Sequence, residues 1–249
     1  MDKFSFISSV LSGLCPATAF LQDKKSPVYM MSLEDAVRPG MMDQYMQATG
    51  EWIALLKKEK VPASFSAFLE SDGIVNYLET MVPASDPAST APIESLARFH
   101  QTESGRKRQS AVRWSRYSVW IRSERLSCAP ENPDAPPGTL PYFVWKHIRV
   151  CPGRESAFED AAAAFREIFR KKGVRRGYGV FRNIIGYERP WYTVIFAGTD
   201  PGDLYAWQIK MKQELGSQEG PVLERIHAVA ERITDGSGWT VPELSYTNR

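Results

Sequence analysis

The sequence holds three histidines, His100, His147 and His227, which is too few for a histidine-rich metal site, so no metal ligand set is expected. His147 stands inside the run Tyr142 to Val150. If that run is a strand, His147 shares a face with Phe143 and Trp145. An imidazole placed there can act as a general base or an axial ligand, and the plainer alternative is a half-buried histidine satisfied by a neighbour. His227 falls near Leu223 and Ala230 at helical spacing and reads as packing, while His100 reads as a surface residue. The chain contains no His-Glu-x-x-His, no Cys-x-x-Cys, no phosphate loop and no Gly-x-Ser-x-Gly elbow. Gly173, Gly177 and Gly179 (GVRRGYG) are better explained by a helix exit and close backbone approach than by a nucleotide.

Charge sets a second bound. Lys plus Arg number 31 against 29 Asp plus Glu, a net charge of +2, and so small an excess argues against a dedicated nucleic-acid binder. Two basic clusters stand out: Arg106-Lys107-Arg108, extended by Arg113, Arg116 and Arg122, and Arg170-Lys171-Lys172 with Arg175-Arg176. Both read first as solvated faces, with an anion or nucleic-acid contact as the alternative. The composition, 43% hydrophobic and 24% charged, is that of a globular protein and excludes a disordered chain. No run approaches the roughly 18 to 20 apolar residues that a transmembrane helix needs.

Residues 1–19 have the order of a secretory signal: Lys3, an apolar stretch from Phe4 to Leu14, then Cys15-Pro-Ala-Thr-Ala19 with cleavage expected after Ala19. That grammar predicts a periplasmic or secreted protein; a short lead on a cytoplasmic one is the alternative. Removing the signal leaves Cys128 and Cys151, which suits one disulfide or two buried free thiols, and a chain of this size has no need of a staple.

The elements that would carry these residues come in two sets. Pro39-Gly40 recurs as Pro152-Gly153, 113 residues on. At that displacement Tyr29 meets Tyr142, Tyr45 meets Phe158, Trp52 meets Phe165, Phe68 meets Phe181 and Gly73 meets Gly186. One residue later, Ser85-Asp86-Pro87 meets Thr199-Asp200-Pro201. Many matches at one displacement predict a duplication, with units at 27–129 and 141–249. Between them 130–140 is a linker, since four prolines and a glycine within residues 130–138 sustain neither helix nor inner strand.

Each unit reads as strand, helix, strand, strand, helix, strand. Phe158, Ala161, Phe165, Ile168 and Phe169 form one helical stripe, matched by Tyr45, Ala48, Trp52, Leu55 and Leu56. Strands are predicted over 142–150, 177–187, 191–198, 117–126 and 239–246, and helices over 107–114, 204–215 and 221–233. The alternation Phe143, Trp145, His147 against Val144, Lys146, Ile148 gives the strand two substantially apolar faces. Helices cover only one of them, so the other repeat is the nearest partner.

A strand, then Pro-Gly, then a helix with an early aromatic (Val144 to Val150, Cys151-Pro152-Gly153, Phe158) resembles the dimeric α+β barrel superfamily of ferredoxin-like units. Within it, the pattern is similar to the NIPSNAP-like and antibiotic-biosynthesis-monooxygenase-like domains. The resemblance implies two tandem ferredoxin-like βαββαβ repeats whose antiparallel sheets pack face to face as an intramolecular α+β barrel, in a monomer with pseudo-dimeric repeats or a homo-oligomer. It also implies a pocket between sheet and helices for a small apolar or aromatic molecule, with Trp145, Tyr178 and Trp191 as ligand-binding candidates and His147 as the catalytic one. The first expectation is a ligand-binding barrel without a cofactor. The second is a cofactor-independent monooxygenase-like enzyme with His147 as base. The third is a structural interaction module. In the first repeat Glu34 takes the place of His147, so any such site is asymmetric.

Overall fold

The computed structural model describes residues 29–61, 64–71, 76–84, 97–129, 140–188 and 190–247. The expected signal at 1–19, linker residues 130–139, Gly73 and Ser85-Asp86-Pro87 lie outside the described residues. The chain forms two compact units, 29–119 with 238–247, and 120–237.

The first unit opens with β1 (Tyr29–Val37), α1 (Met42–Glu59), β2 (Ser64–Ser71) and β3 (Asn76–Ala84). β1 pairs antiparallel with β3 from Tyr29↔Ala84 to Val37↔Asn76, and β2 pairs antiparallel with β3 from Ser66↔Met81 to Ser71↔Asn76. Two strands that both run against β3 are parallel to each other, so α1 crosses over β3 between them in a split βαβ motif. α1 forms because Tyr45, Ala48, Thr49, Trp52, Ile53 and Leu56 recur at three- and four-residue steps and are all buried. Trp52 stacks on Phe65 of β2 with centroids 5.1 Å apart, and Phe99, Leu244 and Tyr246 complete that core. Each such aromatic contributes roughly 1.5–3 kcal/mol by its burial. α2 (Glu103–Ala111), capped by the Thr102 hydroxyl, leads directly into β4 (Val112–Arg122). Residues 238–247 close this unit: Phe68, Leu69 and Glu70 of β2 pair with Thr240, Trp239 and Gly238, and Ser64 and Phe65 pair with β9 (Tyr246–Thr247).

The second unit begins with Trp120–Arg122 of β4 and continues through β5 (Tyr142–Val150), α3 (Glu155–Lys171), β6 (Gly179–Ile185) and β7 (Trp191–Gly198). β5 and β6 both pair antiparallel with β7, so α3 makes the same split βαβ crossing. α4 (Pro201–Leu215), α5 (Glu219–His227) and β8 (Ala230–Thr240) follow. The face of the sheet under α3 holds Tyr142, Ile148 and Val150 with Phe158, Ala161, Phe169, Tyr178 and Tyr192 in one core. Tyr142 stands 113 positions after Tyr29 and Val150 stands 113 after Val37, so β5 has the bounds of β1 at that displacement. Gly40 and Gly153 both take left-handed backbone, φ 76° and 81°, in the turn that follows. Lys60 (φ 50°) and Gly173 (φ 62°), again 113 apart, follow α1 and α3 in the same left-handed region.

Two predicted helices are cut short by strands. The helix expected over 107–114 ends at Ala111, because Val112 turns extended and starts the run VRWSRYSVW of β-branched and aromatic residues. The helix expected over 221–233 ends at His227, and Ala230 begins β8 beside β5. Pairing outweighs local propensity there: Lys146 reaches Asp235 at 2.7 Å and Arg149 reaches Glu231 at 3.2 Å. The strand predicted over 239–246 resolves into the end of β8, a 3₁₀ turn at Pro242–Leu244 and β9. Cys128 and Cys151 are both free thiols. Among the described residues no helix is long and apolar enough to cross a membrane.

Candidate functional site

Alternation along β5 sends Tyr142, Val144 and Ile148 into the core beneath α3, and so turns Trp145 and His147 to the other face of the second unit's sheet. β7 supplies the partners on that face. His147 stands opposite Thr193 in register, and its Nδ1 lies 2.8 Å from Thr193 Oγ1. Trp191, two residues before Thr193, is the diagonal neighbour, with its ring centroid 6.4 Å from the imidazole at an interplanar angle of 81°. Trp145 approaches edge-on at 6.5 Å, and the tilted ring of Trp120 on β4 lies at 6.4 Å with an interplanar angle of 31°. Tyr187, in the β6–β7 connection, completes the group at 5.2 Å from Trp120 and 5.8 Å from Trp191.

Trp120 and Trp145 are buried, whereas His147, Tyr187 and Trp191 are half-buried, so the accessible part of the cluster is the imidazole with the Trp191 and Tyr187 rings. A threonine hydroxyl can give or take a proton, so Thr193 fixes the plane of the imidazole and engages Nδ1. Proton transfer would run through Nε2, the opposite nitrogen. The indole faces add electron-rich walls suited to a flat aromatic molecule or to the imidazolium itself.

Of the four residues singled out from the sequence, Trp145, His147 and Trp191 come together here and Tyr178 does not. Tyr178 precedes β6 on the opposite face, with Phe169 at 5.1 Å, Phe196 at 5.6 Å and Phe165 at 6.0 Å. Its hydroxyl makes no hydrogen bond among the described residues, and burial pushes the phenol well above its ordinary range. Trp120 and Tyr187 fall within the strands expected over 117–126 and 177–187 but are not among the site candidates; β4 carries Trp120, and β6 ends at Ile185, which leaves Tyr187 in the connection to β7.

A second polar constellation lies in the first unit. Arg108 and Asp35 are 2% and 1% exposed and form an ion pair through Nη2 and Oδ2. The Tyr45 hydroxyl donates to Asp35 at 2.8 Å and accepts from Arg108 at 2.9 Å, and Arg108 Nε donates to Thr49 at 3.2 Å. Arg108 Nη1 lies 3.2 Å from His100 Nε2. An arginine can only donate, so that nitrogen accepts and His100 is neutral with its proton on Nδ1. Burial, then the Arg108 charge, hold the His100 pKa below its ordinary value. Two expectations are corrected here: Arg108 is not part of a solvated face, and His100 is not a bare surface residue. His227 is the reverse case, since it is exposed at the end of α5 rather than packed. Each nitrogen of the Arg108 guanidinium has a partner inside the cluster, which marks it as structural.

No protein family and no curated protein matches the sequence. Solved structures do. An anthrone oxidase-like protein aligns at 13% identity over 88% of this chain and 92% of its own, with a TM-score of 0.53. A protein of Fusobacterium nucleatum named as a candidate monooxygenase aligns at 5% identity over 87% and 94%, TM-score 0.54. A chlorite dismutase variant from Candidatus Nitrospira defluvii aligns at 14% identity over 90% and 94%, TM-score 0.55. At these identities the likeness is one of architecture, and the architecture is the ferredoxin-like α+β fold.

Proposed function

We propose that the second unit binds a flat apolar or aromatic small molecule against the edge formed by His147, Trp191 and Tyr187. The observation that carries this reading is an imidazole held by Thr193 at 2.8 Å with three indole rings 6.4–6.5 Å away. A histidine serving packing alone has no need of such a surround, and aromatic walls with one polar group that sets orientation are the usual make-up of a small-molecule site. The duplication of the sequence belongs to the same proposal. It is supported by the 113-residue spacing of β1 from β5 and of the left-handed residues Gly40 and Gly153.

A second reading is favoured by the same imidazole. In a cofactor-independent oxygenase, His147 takes a proton from an electron-rich aromatic substrate, and the resulting carbanion reacts with oxygen. The fold neighbours named as an anthrone oxidase-like protein and a candidate monooxygenase make this chemistry the natural one to try. Titrating the full chain with anthrone while following tryptophan fluorescence tests both readings. Saturable quenching that Trp191→Ala weakens supports the binding site. Anthrone oxidation that His147→Ala abolishes while quenching persists supports the enzyme. Absence of saturable quenching in the wild type removes both.

A further inference from the structure

We propose that the second unit carries a separate anion site, at the junction of β4 and α3, that takes a small organic oxyanion with an apolar part. A cavity of about 900 Å³ lies there, within the roughly 300–1,000 Å³ usual for small-molecule sites. None of Trp145, His147, Tyr178 and Trp191 lines it. Its cations come from three places in the chain: Arg122 on β4, Arg166, Arg170 and Lys171 on α3, and Arg175 in the segment after it. Among the described residues the lining acids are Glu124 and Glu167, so five cations face two carboxylates and this described lining carries +3.

Both carboxylates are already engaged. Glu124 pairs with Arg122 at 3.0 Å, and Glu167 pairs with Arg166 at 3.5 Å and Arg170 at 3.4 Å. The excess is therefore not cancelled among the described lining residues. Cations at a helix C-terminus offset the helix dipole, which accounts for Arg170 and Lys171. The dipole does not account for Arg122, a strand residue whose side chain is 1% exposed, nor for Arg166, whose Nε is fixed by a 2.8 Å bond to the Ser127 carbonyl. Fixed guanidinium groups converging on one space suit the planar, two-toothed recognition of phosphate and carboxylate. Phe169, Val174 and the Cys128 thiol supply buried apolar lining, which calls for a ring or short chain on the ligand rather than a bare ion.

Isothermal titration of the full chain with phenyl phosphate, benzoate and inorganic phosphate, at about 50 and 300 mM salt, tests the site. Expected is saturable binding of phenyl phosphate or benzoate, weaker at high salt and weaker still for inorganic phosphate. The tighter of the first two assigns a phosphate ester or a carboxylate. Arg170→Glu and Arg175→Glu should each lower affinity about tenfold, whereas Arg232→Glu on β8, the same charge change at an exposed position outside the lining, should leave it within about twofold. If a reversal disturbs folding, the neutral double change Arg170→Gln with Lys171→Gln replaces it. Absence of saturable binding for all three probes overturns the proposal, and so does an Arg232→Glu loss equal to that of Arg170→Glu. Quenching by anthrone should be the same in Arg170→Glu as in the wild type, so the two sites fail independently.

Discussion

His147 and Thr193 face each other across the β5–β7 pair, and the 2.8 Å contact between imidazole Nδ1 and the threonine hydroxyl is a consequence of register alone. A shift of one residue in either strand would turn one of them into the core under α3. The partner that orients the ring is thus set by the same pairing that builds the sheet, and it can be removed without touching an aromatic wall.

Thr193→Val should keep the fold and release the ring. The lost bond corresponds to about 0.5–1.5 kcal/mol, or a loss of about 2- to 10-fold in anthrone affinity, and Thr193→Ser should restore it. Imidazole nitrogen resonances report the ring directly: an unchanged His147 signal in Thr193→Val would mean that the hydroxyl does not hold it.

The Arg108–Asp35 pair should behave as buried pairs do when halved. Arg108→Leu leaves the Asp35 carboxylate buried against Tyr45 and Ser115 with no cation, at a cost of about 3–5 kcal/mol. Removing both charges, as Asp35→Leu with Arg108→Leu, should recover most of that loss in urea denaturation. A double variant as unstable as the single one would show that the polar network, rather than the lone charge, sets the cost.

His100 gives the first unit a pH dependence. The groups facing it are Arg108 and, through it, Asp35, and its folded pKa is depressed by burial and by the Arg108 charge. A depressed histidine binds fewer protons folded than unfolded. Its contribution is therefore fully present above the ordinary value of 6.5 and is lost as pH falls below it. Denaturation midpoints from pH 7 down to about pH 5 should fall more steeply for the wild type than for His100→Gln. Parallel slopes would remove His100 from the account.

What the sequence discloses and what it hides follow one physical division. α3 and β7 are legible because a 3.6-residue stripe and a β-branched, aromatic run are local patterns. β8 is hidden because Asp235, Gly236 and Gly238 are poor strand formers held only by pairing, the strand with β5 and its Gly238 end with Glu70 of β2. Trp145, His147 and Trp191 follow from alternation, whereas Trp120 reaches them only through tertiary pairing. Tyr178 joins the candidates through aromatic density rather than alternation; counting back in twos from Phe181, opposite Thr193, puts Gly179 on the site face and Tyr178 on the other. Arg108 was misjudged because three consecutive charges look solvated, although Gly105, Arg108 and Ala111 form the buried face of α2.

The last prediction concerns the ends of the two crossover helices. After α1, Lys60 takes φ 50° and the Val61 amide reaches back to the Leu56 carbonyl at 3.2 Å; after α3, Gly173 takes φ 62° and Val174 reaches Phe169 at 3.2 Å. The closure is the same, but only one of the two residues adopts it without cost. A side chain in the left-handed region costs about 1–2 kcal/mol, part of which glycine returns through the entropy it loses on folding. Lys60→Gly should therefore stabilise the protein, by about 0.5–1 kcal/mol, although it deletes an exposed charge and adds no contact. Gly173→Lys should destabilise it by a similar amount, even though a Cβ there meets nothing within 4 Å. Paired thermal melts decide the matter: equal and opposite shifts identify the backbone as the cause, and a destabilised Lys60→Gly would show that the lysine side chain outweighs its own strain.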